Sequence, residues 1–165
     1  MTLDELNGLD KPALREALHG CCGSRAWVEK MMAVVPVMSL HDLLHAASKA
    51  WHACGQEDWK EAFGHHPRIG DLDTLKRKFS GTGTSLEQAA ALEASLLTLE
   101  ALAEGNRVYE EKFGYIFIVC ATGRSAEGML GELRKRLDND PGKEILIAMG
   151  EQEKITRLRL EKLLS

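Results

Sequence analysis

The chain has 165 residues, of which 44% are hydrophobic, enough for one domain with a hydrophobic core. Its net charge of -4 comes from interspersed acidic and basic residues, which argues against a nucleic-acid-binding surface. No apolar stretch approaches the length of a membrane span, and the acidic, polar start of the chain is unlike a signal peptide. We therefore expect a cytoplasmic protein with a single domain, residues 1–165.

Start and stop signals predict helices along most of the chain. Thr2 and Glu5 form a short capping box, and Asp10 starts a second helix that ends at Gly20. Further helices are predicted from Ser24 to Met32, Ser39 to Cys54, Asp58 to Phe63, Asp73 to Phe79, Ser85 to about Glu104, Ser125 to Leu137, and Pro141 to the end. Gly55 is expected to close the helix that ends at Cys54. The predicted fold class is all-α, a multi-helix bundle.

One segment, at about residues 115–121, differs from this helical pattern. From Tyr115 to Cys120 it is aromatic and β-branched, which is the composition of a buried strand. No partner strand is visible in the sequence, and a lone strand would leave its backbone groups unpaired. We therefore expect a buried extended connection whose amides and carbonyls bind side chains, water or a ligand, as in a pocket wall.

Two adjacent histidines, His65 and His66, follow a position where a helix is predicted to end. Gly64 can adopt the left-handed conformation that closes a helix, and Pro67 forces an extended backbone on His66. An imidazole on such a loop suits a general acid or base. A surface or helix-capping histidine accounts for the same residues, so this motif alone leaves both interpretations open.

A glycine-containing loop, residues 81–83, precedes another predicted helix start. The amides of the first turn of that helix are available to an anion. The loop is not a Walker motif, because the lysine is missing and the spacing is wrong. The alternative is an ordinary capping box of Ser85 with Gln88, in which Glu87 is favoured by the helix dipole. Spacing does not choose between these interpretations.

Arg159 lies on an apolar face of the last predicted helix. At about 100° per residue it falls close to Ala148, Gln152 and Leu163, whereas Arg157 points elsewhere. An arginine on such a face usually needs an anionic partner. An internal carboxylate and a bound ligand are both open as that partner.

Three further histidines, His41, His45 and His52, are spaced along one predicted helix in a way that is compatible with metal ligation. No matching carboxylate motif completes a site, so ordinary exposed or half-buried histidines are the competing interpretation. The four cysteines contain no CxxC pair and are expected to be reduced thiols, mostly packed in the protein. No metal site is therefore predicted.

Four motifs, taken in order, resemble one enzyme family. They are His66-Pro67 with Gly70-Asp71, then Glu87-Gln88, then Asn106-x-x-Tyr109-x-x-Lys112-Phe113-Gly114-Tyr115-x-Phe117-Ile118, and finally Lys154-Ile155-x-x-Leu158-Arg159-Leu160. Over nearly the whole chain this pattern resembles the 2-oxo-4-hydroxy-4-carboxy-5-ureidoimidazoline (OHCU) decarboxylase family. The predicted all-helical fold agrees with the fold of that family.

The resemblance implies the decarboxylation of OHCU to (S)-allantoin in urate breakdown, without a metal or organic cofactor, by a homodimer. It implies His66 and Glu87 as catalytic residues. The implied substrate-binding residues are Pro67, Thr84, Ser85, Gln88, Phe117, Ile118, Val119, Cys120, Ala121 and Arg159. The family often has serine at the position of Thr84, so the hydroxyl of Thr84 and that of its neighbour Ser85 are both candidates for the substrate contact.

Two other classes of protein make different predictions. In a non-catalytic helical interaction domain, His66 and Glu87 would cap helices and Arg159 would pair with an internal acid, so no allantoin would form. In a helical metalloprotein, the three spaced histidines would hold a stoichiometric metal that survives dialysis. Each class can thus be distinguished by experiment.

Overall fold

The computed structural model describes residues 1–66 and 86–165, with only the backbone for residues 86–95. These parts of the chain contain helices and no β-strand, so the all-α prediction is confirmed. The predicted helix from Asp73 to Phe79 and the loop at residues 81–83 lie outside the described residues. The helices are α1 (Leu3–Asn7), α2 (Lys11–His19), α3 (Arg25–Met32), α4 (Leu40–His52), α5 (Gln56–Phe63), α6 (Leu86–Phe113), α7 (Ala126–Leu137) and α8 (Pro141–Leu163).

Side-chain caps set the start of most short helices. Thr2 and Glu5 form the predicted reciprocal capping box, with bonds of 2.7 and 3.1 Å. The Asp10 carboxylate accepts a hydrogen bond from the Ala13 backbone N–H at 2.9 Å. Each such cap contributes about 1 kcal/mol to stability by satisfying a backbone donor that the helix leaves unpaired. The helices α3, α4 and α7 begin in the same way after Ser24, Ser39 and Ser125.

The boundary between α4 and α5 differs from the prediction. α4 ends at His52 rather than Cys54, and Gly55 precedes the start of α5 instead of closing α4. The reason is the Asp58 carboxylate, which accepts a hydrogen bond from the Gly55 N–H at 3.0 Å. A carboxylate in the first turn favours a helix start. The start that was predicted at Asp58 therefore lies earlier, at Gln56.

The longest helix, α6, continues past Glu104, where the sequence predicted its end, to Phe113. Gly105 does not stop the helix, because it serves close packing: a Cβ at this position would lie 2.5 Å from Cδ2 of Leu133 on α7. The stop comes at Gly114, which has the left-handed φ of +83° and donates a hydrogen bond from its N–H to the Glu110 carbonyl at 2.8 Å.

The chain forms two compact units, which we call the first unit (Met1–His66 with Ile147–Ser165) and the second unit (Pro67–Leu146). The prediction of one domain over residues 1–165 stays a prediction. None of the helices in the described ranges combines the length and apolar content that crossing a membrane requires.

In the first unit, α3 packs against α2, α4 and α5 around two buried tryptophans. The Trp27 indole donates a hydrogen bond to the Ala47 carbonyl at 3.0 Å, and the Trp51 indole donates to the Met149 carbonyl at 2.9 Å. Both rings therefore bury a large apolar area without leaving an N–H unpaired. The fully buried side chains of this unit also include Leu6, Leu18, Met31, Leu43 and Phe63.

In the second unit, the connection from α6 to α7 is extended and unpaired with any strand in the described residues. Phe117 and Ile118 are buried within it. The Arg136 guanidinium donates a hydrogen bond to the Ile118 carbonyl at 2.7 Å and lies 4.6 Å from the centre of the Phe117 ring. The prediction of a buried extended connection is thus confirmed, and a side chain satisfies one of its carbonyls.

The Arg136 side chain is held by the Glu144 carboxylate, and both residues are almost fully buried. Arg136 Nε lies 2.6 Å from Glu144 Oε1, and the Tyr109 hydroxyl donates to the same oxygen at 2.7 Å. Asn139 donates to the other oxygen at 3.0 Å. Burial, followed by this carboxylate, raises the pKa of Tyr109, so its hydroxyl keeps its hydrogen. The network therefore satisfies a buried charge pair from several sides.

We expect Arg136→Met to lower the free energy of unfolding by about 3–5 kcal/mol, because it leaves the Glu144 carboxylate buried without its counter-charge. The control is Arg107→Met, since Arg107 makes exposed ion pairs with Glu104 and Glu111 on α6. That variant should change stability by less than about 0.5 kcal/mol. Urea unfolding of both variants is the measurement. Equal, small losses would show that the buried pair does not stabilise the second unit.

Candidate active site

His66 occupies the turn that follows α5, with its ring half-buried. Its backbone N–H donates to the Phe63 carbonyl at 3.2 Å. Gly64 ends α5, as predicted, but the left-handed conformation expected for it is wrong: its φ is -66°. The turn instead continues the right-handed course of the helix, as shown by the hydrogen bond from the Gly64 N–H to the Lys60 carbonyl at 3.0 Å.

The two adjacent histidines have different surroundings. His65 is exposed, and its ring meets the edge of the His19 ring at a centroid distance of 4.8 Å. It packs directly on Gly23, where an added Cβ would lie 2.5 Å from the imidazole. The His66 ring instead makes a hydrogen bond through Nε2 with the side-chain oxygen of Gln152. Of the two, His66 is therefore the histidine with a buried side-chain partner.

Gln152 lies on α8 and is fully buried, and Thr156 one turn later is 6% exposed. The Gln152 amide nitrogen donates to the Thr156 hydroxyl oxygen at 3.0 Å. Sequence reasoning missed both residues as parts of the site. A signal was present, because Gln152 is a polar residue on the same apolar helical face as Arg159.

Arg159 is exposed and lines an open cleft of about 680 Å³ in the first unit. His19, His65 and Lys162 line the same cleft, with Glu16 as its acidic residue. Within the described ranges, no hydrogen bond or ion pair joins Arg159 to another residue. The described residues therefore contain no carboxylate that pairs with this guanidinium, which was one of the two partners considered for it. The cleft combines the positive charges of Arg159 and Lys162 with the imidazoles of His19 and His65, which suits an anionic ligand.

The pKa of the His66 imidazole is lowered from its ordinary value of 6.5. Burial is the largest cause, since it disfavours the charged ring. The hydrogen bond to Gln152 raises the pKa and offsets part of this effect, while the positive charge of Arg159 and that of protonated His65 lower the pKa further. At neutral pH the ring is therefore uncharged and able to accept a proton.

The cysteines of the first unit are free thiols, as predicted. Cys21 lies at the cleft beside Arg159, yet burial raises the pKa of its thiol to about 11 against the opposing effect of that arginine. Burial also raises the pKa of Cys22 to about 11. Neither cysteine is a thiolate at neutral pH, which argues against a nucleophilic role.

The other predicted site residues fall in the second unit or outside the described part of the chain. Glu87 and Gln88 are in the first turn of α6, which fits the predicted helix start. Pro67, Thr84 and Ser85 lie outside the described residues. In the extended connection, three residues are buried and two half-buried, in the order Phe117, Ile118, Val119, Cys120 and Ala121.

The histidines considered for metal binding make other contacts or face solvent. His52 pairs with Glu153 at 2.9 Å, and His41 and His45 are exposed. Among the residues that the structure describes, no group of three or more histidine, cysteine or acidic side chains could hold a metal ion. The metalloprotein interpretation gains no support from this arrangement.

The helical fold, the neutral imidazole of His66 and the exposed guanidinium of Arg159 in an open cleft define an all-α protein with a candidate acid–base group and a candidate anion-binding group in one unit. A family model for OHCU decarboxylase matches residues 7–161. The chain therefore belongs to the OHCU decarboxylase family.

Relatives and a solved structure agree with this assignment. The uric acid degradation bifunctional protein TTL of Arabidopsis thaliana is 38% identical over 148 residues, covering 88% of this chain and 45% of that protein. The OHCU decarboxylase of Haloferax volcanii is 23% identical over 161 residues, covering 97% and 94%. A crystal structure of OHCU decarboxylase in the presence of (S)-allantoin superposes with a TM-score of 0.70 at 35% identity, covering 88% and 95%. The chain spans about half the length or less of the bifunctional relatives that it matches.

We expect the pKa of His66, measured by NMR titration of the full chain, to lie below 6.5. Arg159→Gln should raise it, because the variant removes a positive charge that disfavours the imidazolium. Arg157→Gln is the matched control, since Arg157 lies on the same helix but pairs with Glu161 in solvent. It should leave the titration of His66 unchanged.

The sign of the associated stability change follows from the direction of the shift. Because the folded chain binds this proton less readily than the unfolded chain, stability is lost as the pH falls through 6.5 toward the lower folded-state pKa. A His66 pKa above 6.5, or one that does not respond to Arg159→Gln, would contradict this account of the site.

Proposed function

We propose that this protein catalyses the cofactor-independent decarboxylation of OHCU to (S)-allantoin in urate degradation. One observation supports it above the others: a neutral, half-buried imidazole at His66, held by Gln152, in a chain of the OHCU decarboxylase family. The similar crystal structure was obtained with (S)-allantoin, the product of this reaction. On this proposal the protein is a carbon–carbon lyase.

The substrate itself can accept the electrons that decarboxylation releases. OHCU has its carboxylate and a hydroxyl on one carbon, next to a ring C=N bond. When the bond to the carboxylate carbon breaks, carbon dioxide leaves and the electron pair moves through that C=N bond to the ring nitrogen. This leaves a C=C bond between the hydroxyl-bearing carbon and its neighbour, the ureido-bearing carbon of the former C=N bond, and the ring nitrogen takes up a proton. The hydroxyl then loses its proton to become the ring carbonyl, and a proton must reach the ureido-bearing carbon on one face to give a single enantiomer. The protein therefore has to orient the carboxylate and deliver one proton.

The properties of His66 suit both tasks. As a neutral ring it can hydrogen-bond to the substrate hydroxyl, steer the orientation of the carboxylate and handle one proton. We propose that Glu87 completes the proton relay and helps to select the protonated face. The resemblance to the family supports this role of Glu87, and its position in the first turn of α6 is compatible with it.

Substrate binding is proposed for Arg159 and Gln88. The planar guanidinium of Arg159 can hold a substrate carbonyl or carboxylate through paired N–H groups, which fits its exposure in the cationic cleft. Gln88 would form hydrogen bonds with the ureido group or the ring amide of the substrate. The remaining proposed contacts are Pro67, Thr84 or Ser85, and the backbone of the connection formed by Phe117, Ile118, Val119, Cys120 and Ala121.

The proposal also covers the oligomeric state and the cellular location of the protein. A homodimer and a cytoplasmic location are supported by the family resemblance and the composition of the chain. A non-catalytic interaction domain would use His66 as a helix cap. That alternative finds no support here, because the His66 ring binds the side chain of Gln152 rather than a helix end.

The deciding test is circular dichroism of freshly generated OHCU with and without the protein. Spontaneous decay gives racemic allantoin, so the readout is the sign and size of the allantoin signal rather than the rate alone. We expect a large excess of (S)-allantoin with the wild-type chain. His66→Asn should lower turnover by about 100-fold or more, the usual contribution of a general acid or base.

The matched control is His45→Asn, because His45 is an exposed histidine on α4, outside the proposed site. It should keep both the rate and the enantiomeric excess. Racemic product at the spontaneous rate from folded wild-type protein would reject the proposed function. Unchanged turnover in His66→Asn would reject the role of His66.

A further inference from the structure

We propose that Gln152 and Thr156 are positioning residues that set the tautomer of His66, so that the neutral ring has its hydrogen on Nε2 and presents Nδ1 as the base. The catalytic meaning of this tautomer rests on the proposed function. The tautomer itself is a property of the free protein and can be measured without substrate.

The argument begins with the two ends of the Gln152 amide. Its nitrogen can only donate hydrogen bonds and its oxygen can only accept them. The nitrogen donates to the Thr156 hydroxyl oxygen at 3.0 Å, so the oxygen is the end that contacts His66. An oxygen that accepts needs a donor, which means that the hydrogen of the neutral ring lies on Nε2.

The second step concerns the Thr156 hydroxyl, since a hydroxyl could bind either end of an amide. Thr156 also lies within hydrogen-bonding reach of the Cys22 thiol. When the hydroxyl hydrogen points to that sulfur, the lone pairs of the oxygen are left for the Gln152 nitrogen. The contact with Cys22 therefore favours one orientation of the amide.

Burial makes this orientation persistent. Gln152 is fully buried and Thr156 nearly so, and the two lie four residues apart on one face of α8. Turning the amide over would place its donor end toward Nε2 and its oxygen toward the hydroxyl, so the ring would have to move its hydrogen to Nδ1 and the hydroxyl would have to turn its hydrogen from Cys22 to Gln152 at the same time. The pair thus acts as a unit that selects one tautomer.

The tautomer determines which ring nitrogen of His66 can act as the base. Because Nε2 is engaged by Gln152, only Nδ1 of His66 is left to meet a ligand. In the selected tautomer Nδ1 has the lone pair, so it can take a proton from the substrate hydroxyl or share it. In the opposite tautomer Nδ1 would present a hydrogen, and the ring would have no accessible base.

The test is a two-bond ¹H–¹⁵N correlation spectrum of the ligand-free, ¹⁵N-labelled full chain at pH 8, where His66 is neutral. His66→Asn identifies the signals by their loss. We expect the pattern of a ring protonated at Nε2. A ring protonated at Nδ1 in the wild-type chain would overturn the proposal outright.

Two substitutions of Thr156 test its part in the selection. Thr156→Val keeps the shape but removes the hydroxyl oxygen that binds Gln152, so we expect a mixture of tautomers and a roughly tenfold loss of kcat with KM changed less than about twofold. Thr156→Ser restores the hydroxyl and should restore the single tautomer and most of kcat. A Thr156→Val protein that keeps the pure Nε2–H form would overturn the role of Thr156.

The same experiments separate this inference from the proposed function. An Nε2–H ring in a protein that forms no excess of (S)-allantoin would leave the tautomer assignment standing and reject the decarboxylase. An Nδ1–H ring in an active, stereoselective enzyme would reject the tautomer assignment and leave the decarboxylase function standing.

Discussion

The last helix buries polar side chains completely, and each of them has to find hydrogen-bonding partners. Glu144 and Gln152 on α8 are both fully buried. A buried polar group without a partner costs about 1–3 kcal/mol, and a buried charge costs more. Glu144 therefore engages Arg136, Tyr109 and Asn139, while Gln152 engages His66 and Thr156. Within each unit, this requirement determines which side chains pack against the part of α8 that belongs to that unit.

The same requirement shapes the extended connection after α6. A segment without a partner strand leaves its carbonyls to be satisfied by other groups. Arg136 satisfies one of them at Ile118, stacks on Phe117 and is neutralised by Glu144. One buried arginine thus joins a backbone carbonyl, an aromatic ring and a carboxylate. The connection is ordered by a side chain instead of a sheet.

In the first unit, electrostatics and hydrogen bonding act on His66 in opposite directions. Burial and the nearby charge of Arg159 favour the neutral ring, while the bond to Gln152 opposes them in part. The thiols of Cys21 and Cys22 also stay neutral because they are buried. The charged side chains of Glu16, Arg159 and Lys162 instead line the open cleft, where water screens their charges. A neutral base beside exposed cations is an arrangement that suits an anionic substrate.

Much of the fold could be predicted because its signals are local. Caps at Thr2, Asp10 and Ser39 determine helix starts through contacts within one turn, and such contacts are visible in the sequence. The errors occurred at glycines. Gly55 caps the start of a helix because the Asp58 carboxylate accepts a hydrogen bond from its N–H. Gly105 lies inside a helix, where the Leu133 side chain packs directly on it. For Gly105 the deciding residue is distant in the sequence, and no local rule could have identified it.

The candidate site also combines features that the sequence predicted with features that only the tertiary structure shows. The sequence by itself determined the all-α class and the family, since residue type and spacing express those features, and the resemblance to the family made His66 and Arg159 candidates for the site. Only the tertiary structure decided that His66 rather than His65 has a buried partner, that this partner is Gln152, and that Glu144 neutralises Arg136. Gln152 is 86 residues from His66 along the chain. A hydrogen bond over that separation depends on how the helices pack, and helical periodicity shows which face a residue occupies but not which residue it meets.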